Sequence, residues 1–400
     1  MWSLLEKAGN QGISFILFMF VARLIGPKEY GLANRTFEGE IVPRSNRIGD
    51  RTIGVAAATL FLACFAAGLA RADEIGNAAT EATGWMPGVN LSGAELNAPK
   101  TRLNFDYIYP TTAEIDYFVG KGLTTFRIPV LSDRLLGPSR EGPRPLTRDW
   151  IALLKLIDHA ARSRARVIVD FHQYGAMPSG LIGRDTQATR DFAQAWAEVA
   201  GRLKDRPNVI FGLMNEPHER SASEWLVGAN AAIAAIRNAG AHQLILVPGS
   251  YWTGAHSWTK TDNGKIMAGV VDPINNFAYE VHQYLDSDSS GTKPEVIAGA
   301  GAMRLVDFTN WARQHHAKGF LGEMGWAATP EGQQAEGRAL VAYMADNRDV
   351  WRGWTYWAAG PWWGEYMFSV ELSKTGDRAQ MDINECQIAR KDANHIKQPS

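Results

Sequence analysis

Cysteine is scarce in this chain: 400 residues hold two, Cys64 and Cys386. Cys64 lies in an apolar segment read below as removable, which excludes an intramolecular disulfide in the processed chain and neither requires nor excludes export. An excess of charge is also missing. Lys and Arg total 41, Asp and Glu 42, and the net charge is −1. No basic field invites nucleic acid and no acidic tail marks a scaffold, so the expected partner is neutral. No glycine-rich phosphate loop follows any apolar run, which weighs against an open nucleotide-binding sheet. No Ser/Thr/Pro linker divides the chain, and no second module follows Trp357. What is abundant is apolar and aromatic surface. Hydrophobic residues make up 46% of the chain, enough for a large core, and 14 are Trp. Flat aromatic faces stack on sugar rings, although most Trp in any protein belong to the core.

Two apolar runs precede the first globular pattern. Ile13 to Ala22 is too short to span a bilayer before Arg23 interrupts it. Ile53 to Ala70 carries no charge, follows Arg44, Arg47 and Arg51, and ends in Ala70-Arg71-Ala72 before Asp73-Glu74. Basic flank, Ala-rich stretch and small-x-small site describe a secretory signal peptide over 44–72, cleaved after Ala72. The product would be secreted or periplasmic. The competing reading is an uncleaved anchor, because the run is long enough to span. Residues 1–43 form an extension that the rest of the chain does not account for. Within it, Asn10 to Phe15 and Ala22 to Leu32 resemble the first segment of bacterial polysaccharide flippases. A signal peptide of ordinary length would start near Val42.

From Gly84 onward, short apolar runs alternate with amphipathic segments. The runs are Met86 to Leu91, Thr124 to Val130, Arg166 to Phe171, Asn208 to Met214, Gln243 to Val247, Asn276 to Val281, Gly319 to Leu321 and Gly353 to Trp357. Helical patterns cover Thr112 to Lys121, Arg148 to Ser163, Thr186 to Lys204, Ser223 to Asn238, Met303 to His316 and Glu331 to Asn347. Strands alternating with helices over this length predict a single (β/α)8 TIM barrel, spanning 84–395.

In such a barrel chemistry collects at the C-terminal ends of the strands. Glu216 sits in Asn215-Glu216-Pro217, directly after the fourth run, and Glu323 in Gly322-Glu323-Met324-Gly325, directly after the seventh. Two acids at the exits of two strands are what glycosidic bond cleavage needs. The other exits carry polar or aromatic groups too: Arg127, His172, His282, Tyr284 and Trp357. Any one of them has a bland reading as a core histidine or a salt-bridge partner. Six strand ends in register do not.

These blocks resemble glycoside hydrolase family 5, in particular endoglucanases of the cellulase A type. The resemblance runs from Gly84 to about Glu371 and includes Gly88-Val89-Asn90-Leu91-Ser92-Gly93-Ala94-Glu95, Asn215-Glu216-Pro217, His282 to Asp288, and Trp354 to Gly364. It implies a retaining endo-β-1,4-glucanase acting by double displacement, with Glu216 as acid/base and Glu323 as nucleophile. Arg127 and Tyr284 are the candidate donors to an ionised Glu323. Asn215 would bind the sugar 2-hydroxyl, and His172 and Trp357 would hold the sugar beside it. His282 would partner the acid/base. Trp252 and Trp258 after the fifth strand, and Trp362 and Trp363 after the eighth, are candidates to line the cleft. A β-mannanase or xyloglucanase would share this centre, and a non-catalytic polysaccharide-binding protein is the alternative of another class.

No metal and no cofactor is expected. Asp286-x-Asp288-x-Ser290-Gly291 opens like a calcium loop, but its twelfth position is Ile297, not Glu. The expected partner is a β-glucan polysaccharide or oligosaccharide, with no nucleic acid, no membrane partner unless the anchor is kept, and a monomeric chain.

Overall fold

A computed structural model of the chain describes residues 84–137, 145–328 and 332–384. The expected extension, the signal segment with its Ala72 site, and both cysteines lie outside the described residues, as does the stretch from 385 to the expected end of the barrel. Eight parallel strands close on themselves: β1 Met86–Leu91, β2 Thr125–Val130, β3 Arg166–Phe171, β4 Val209–Gly212, β5 Ile245–Pro248, β6 Phe277–His282, β7 Gly319–Glu323 and β8 Trp351–Ala359. Strand β8 completes the ring by pairing with β1, Met86 opposite Gly353. Six long helices lie outside it: α1 Thr112–Gly120, α2 Arg148–Arg162, α3 Thr186–Leu203, α4 Ala222–Asn238, α5 Ala300–Gln314 and α6 Gly332–Asp346. This is the (β/α)8 barrel the alternation predicts. Among the described residues no helix is long and apolar enough to cross a membrane.

Local sequence starts the helices. Thr111 and Ser221 accept from the backbone N–H of Glu114 and Glu224, and each Glu reaches back to the cap, a reciprocal box that satisfies otherwise orphaned donors. Helix α2 buries Trp150, Leu153, Ile157 and Ala160, three or four residues apart, against the strands. The connection after β5 is a set of short helical turns between Tyr251 and Gly269 instead of a long helix.

Inside the barrel the side chains form two layers. Met86, Ile168, Ile210, Leu246, Ala278 and Phe320 make a small apolar cluster apart from the larger core between strands and helices. Side chains alternate along a strand, so the next inward positions toward the C-terminal end lie two residues further on. There Ile168 gives way to Asp170, and Ala278 to Glu280, both fully buried. An apolar plug at the bottom thus supports a charged layer near the top.

Candidate active site

Arg127 on β2 is the hub of that layer and is 0% exposed. Its Nη1 donates to Asn90 Oδ1 at 2.9 Å and to Glu323 Oε1 at 3.0 Å, and its Nη2 donates to Asn215 Oδ1 at 2.9 Å. Nη2 also pairs with Asp170 Oδ1, and Nε with Glu280 Oε1, each at 3.1 Å. Burial alone works against a charged guanidinium, but Asp170, Glu280 and Glu323 outweigh it and hold Arg127 protonated beyond its ordinary range. One buried cation therefore ties β1, β2, β3, β4, β6 and β7 together at one level.

Strict alternation would turn Glu323 outward, because Phe320 joins the inner cluster and Leu321 the outer core. A bulge prevents this. Val281 pairs with Leu321, but the next residue, His282, pairs with Glu323, so β7 carries one extra residue, Gly322. Such an insertion re-aims the side chain that follows it. Gly322 is needed there: a Cβ would lie 2.1 Å from Glu280 Oε1. Glu323 then receives Arg127 on Oε1 and the Tyr284 hydroxyl on Oε2 at 2.7 Å. Burial is the largest influence on its carboxyl and raises it above the ordinary range. His282 and Arg127 pull it down, and the charge of Glu216 adds to the rise.

Glu216 follows β4 in the left-handed backbone region, at φ 41°. A non-glycine residue held there costs about 1–3 kcal/mol and persists only where the surroundings impose it. Its Oε1 lies 2.8 Å from His282 Nδ1, whose ring also faces Glu323 Oε2 at 3.6 Å and, through Nε2, Glu280 Oε1 at 3.4 Å. Desolvation disfavours the charged ring, but Glu323, Glu216 and Glu280 prevail and push His282 up to about 10. With carboxylate oxygens facing both nitrogens, the imidazolium is the form that fits.

The donor atoms of Glu216, His282 and Glu323 lie within 4.8 Å of one another. That is close enough to surround a cation, but a protonated imidazole has no lone pair to give and Arg127 already holds Glu323. A cation there would have to displace the imidazole proton and compete with Arg127 for Glu323. One oxygen of each carboxylate lies within 4.8 Å of the other, in keeping with the ~5–5.5 Å of retaining glycosidases and short of the ~6.5–9.5 Å of inverting ones.

The wall above this centre is aromatic. His172 Nδ1 donates to the Asp170 carboxylate at Oδ2 across 2.9 Å, and the ring stacks on Trp357 at 5.6 Å and 15°. Against burial, Asp170 holds the His172 imidazole above its usual value. A model of the family described as Cellulase (glycosyl hydrolase family 5) matches residues 86–360, the span that carries every group named so far. The chain belongs to glycosyl hydrolase family 5.

Relatives within family 5 agree. Endo-beta-1,4-glucanase B of Aspergillus niger is 38% identical over 288 residues, covering 71% of this chain and 84% of that protein. Among solved structures, the endo-beta-1,4-glucanase Xac0029 of Xanthomonas axonopodis pv. citri is 41% identical with a TM-score of 0.72, covering 77% of this chain and 99% of that one. XacCel5A in complex with cellopentaose is 41% identical with a TM-score of 0.71, covering 75% and 98%. The chain is thus a glycoside hydrolase by family.

Within this family 5 barrel the structure brings together Arg127, His172, Asn215, Glu216, His282, Tyr284, Glu323 and Trp357. Trp252 stands on the loop after β5, 44% exposed, its ring stacked on His218 at 4.7 Å and 8°. Trp258 is a correction. It is 0% exposed and packs edge-on against Tyr279, Phe308 and Trp311, so it is core and has no face for a sugar. Trp362 is half-buried against the core, and Trp363 is buried with its ring edge-on to Trp357 at 5.6 Å. Trp363 therefore braces Trp357 instead of lining the cleft. Asp286, in the loop that opens like a calcium site, accepts from Ser290, Gly291 and Thr292 of its own loop.

Sequence reasoning missed Asp170 and Glu280. Each precedes a predicted site histidine by two positions, and the period-two rule places such pairs on one face of a strand. That was the available signal.

Proposed function

We infer that the protein is a retaining endo-β-1,4-glucanase, cutting internal bonds of cellulose or a related β-glucan by double displacement. The observation that carries this is the pair of carboxylates within 4.8 Å at the ends of β4 and β7 of a family 5 barrel. In the first step an oxygen of ionised Glu323 attacks the anomeric carbon while Glu216 delivers its proton to the glycosidic oxygen. The carbon–oxygen bond breaks, a glycosyl ester forms on Glu323, and the shortened chain leaves as an alcohol. In the second step Glu216, now a carboxylate, takes a proton from water. That water attacks the anomeric carbon and Glu323 is released as a carboxylate. Two displacements at one carbon restore its configuration.

The remaining groups serve this sequence. Arg127 and Tyr284 orient the two Glu323 oxygens so that one can turn toward the sugar. Arg127 occupies the Asn215 carbonyl oxygen, which leaves the Asn215 amide NH2 as the donor to the 2-hydroxyl, a contact that tightens as the oxocarbenium-like state develops. His172 and Trp357 offer a paired ring wall for the sugar being attacked, and Trp252 one for its neighbour. The relatives named as endo-beta-1,4-glucanases and the cellopentaose complex of XacCel5A support a cello-oligosaccharide substrate. Export is part of the same reading: residues 1–72 would be removed to leave Asp73 first, and the monomeric barrel would act outside the cytoplasm.

Hydrolysis of carboxymethylcellulose, glucomannan and xyloglucan, with the product anomer followed by NMR, tests the proposal. Release of β-configured cello-oligosaccharides is expected, and Glu216→Gln or Glu323→Gln should lower the rate by several orders of magnitude. A preference for mannan, an inverted product, or tight cello-oligosaccharide binding without reducing ends would each overturn it. N-terminal sequencing of the exported enzyme tests the cleavage site.

A further inference from the structure

The backbone at Glu216 and Pro217 is held by two contacts that the side-chain chemistry of Glu216 does not require. His218 Nδ1 lies 3.0 Å from the carbonyl oxygen of Glu216. A carbonyl only accepts, so Nδ1 carries the proton and donates it. The next carbonyl, that of Pro217, accepts from the backbone N–H of Trp252 at 3.2 Å. The two donors are themselves joined, the His218 and Trp252 rings lying parallel at 4.7 Å and 8°. The carbonyls of Glu216 and Pro217 thus end on the two residues of one stacked pair, the first on a ring N–H and the second on a backbone N–H.

That pair is anchored from outside. Tyr251, Trp252 and Thr253 are three consecutive residues at φ 56°, 56° and 51°. Thr253 Oγ1 fixes this turn by donating to the Glu280 carbonyl at 2.5 Å and accepting from Gly249 N at 2.8 Å. Tyr174 meets His218 edge-on at 5.7 Å and continues to His172 at 5.4 Å. The rings run as one row, Trp252, His218, Tyr174, His172, Trp357, with Trp252 at the exposed end on the Glu216 side. A sugar resting on Trp252 is on the side that departs once Glu216 has protonated the bond.

We propose that His218 is a positioning residue that sets the orientation of Glu216 and couples it to the leaving sugar stacked on Trp252. This rests on the reading of Glu216 as acid/base. His218 contacts the carbonyl of Glu216, not the reacting atoms. When a sugar settles on Trp252 it fixes the indole, the stacked imidazole and through them the peptide that carries the acid.

The test compares two aryl cellobiosides, phenyl, which needs its leaving oxygen protonated, and 2,4-dinitrophenyl, which does not. His218→Phe keeps a ring for the stack and removes the hydrogen bond. It should lower kcat/KM for the phenyl substrate by about 10- to 100-fold, a part of the ~10²–10⁴-fold that a positioned acid supplies. For the dinitrophenyl substrate kcat/KM should stay within about twofold, and azide should restore kcat. His218→Asn keeps a donor and loses the ring. It should spare the phenyl cellobioside, yet lower kcat/KM for cellotetraose, as should Trp252→Ala. Equal losses on both aryl substrates with His218→Phe, or unchanged cellotetraose hydrolysis with Trp252→Ala, would overturn the proposal. Glu216→Ala is the control for the underlying reading: if it shows no dependence on the leaving group and no azide rescue, the acid/base assignment itself fails.

Discussion

Tyr284 and Glu323, both almost wholly buried, share a hydrogen bond of 2.7 Å from the phenol to Oε2. Burial pushes the phenol far above its ordinary range, so it donates at every pH of interest. Burial also raises Glu323, against the pull of His282 and Arg127, and a hydrogen bond donated to a carboxylate favours its charged form. Tyr284→Phe should therefore do two things. Losing a hydrogen bond to a charged group, about 1.5–3 kcal/mol, should lower kcat/KM by about 10- to 100-fold. The acid limb of the pH–rate profile should move to higher pH, because Glu323 must lose its proton to attack. Steady-state rates between pH 4 and 9 read both.

Trp258 offers a prediction about stability without function. Its ring touches Tyr279 on β6 and Phe308 and Trp311 on α5, and none of these reaches the carboxylates. Trp258→Ala should cost about 3–5 kcal/mol of folding free energy, as large-to-small core changes do, while KM for cello-oligosaccharides stays within about twofold. Denaturant unfolding and kinetics on the same sample decide it. A raised KM with unchanged stability would return Trp258 to the cleft.

A carboxylate away from the catalytic centre should set part of the pH response. Glu371 accepts from the Gly360 backbone at 2.9 Å, and burial with the nearby charge of Glu114 pushes it up to about 7. A folded value above the unfolded one, ~4.3, means its contribution is fully present below the unfolded value and is lost as pH rises through about 7. His282 acts in the same sense at higher pH, its contribution present below ~6.5 and lost toward about 10. Wild type should thus melt at a lower temperature at pH 8 than at pH 5. Glu371→Gln keeps an acceptor for Gly360 and removes the charge, so it should narrow that gap by raising the pH 8 melting temperature a few degrees. Calorimetry at the two pH values checks this, and an unchanged gap would mean that Glu371 does not titrate there.

The barrel was legible because strands buried on both faces read as apolar runs. Arg166 to Phe171 is such a run, and it is β3 to the residue. The carboxylates were legible as polar groups at strand exits. How Glu323 turns inward was not. It depends on the bulge at Gly322, a pairing with β6 that no local pattern announces. Trp258 misled for a related reason: its burial is decided by rings on β6 and α5, far away in sequence, whereas Trp252 on the same loop stays open. Asp170 and Glu280 could be seen but not ranked, because a buried strand acid gains meaning only once Arg127 is known to face it.

Arg220 is almost wholly buried, and its guanidinium donates to the carbonyls of Gly175 and Ile182 in the loop after β3. Its own carbonyl accepts from Ser250 in the loop after β5 at 2.7 Å. A Cβ on Gly175 would meet the guanidinium carbon at 2.7 Å, so that glycine is part of the fit. These bonds read backbone shape and ignore side-chain identity. For anyone regrafting substrate preference, the loops after β3, β4 and β5 are one cassette. Surface residues outside the row of rings can be exchanged, but a single loop transplanted without Arg220 and its glycine would arrive with no seat.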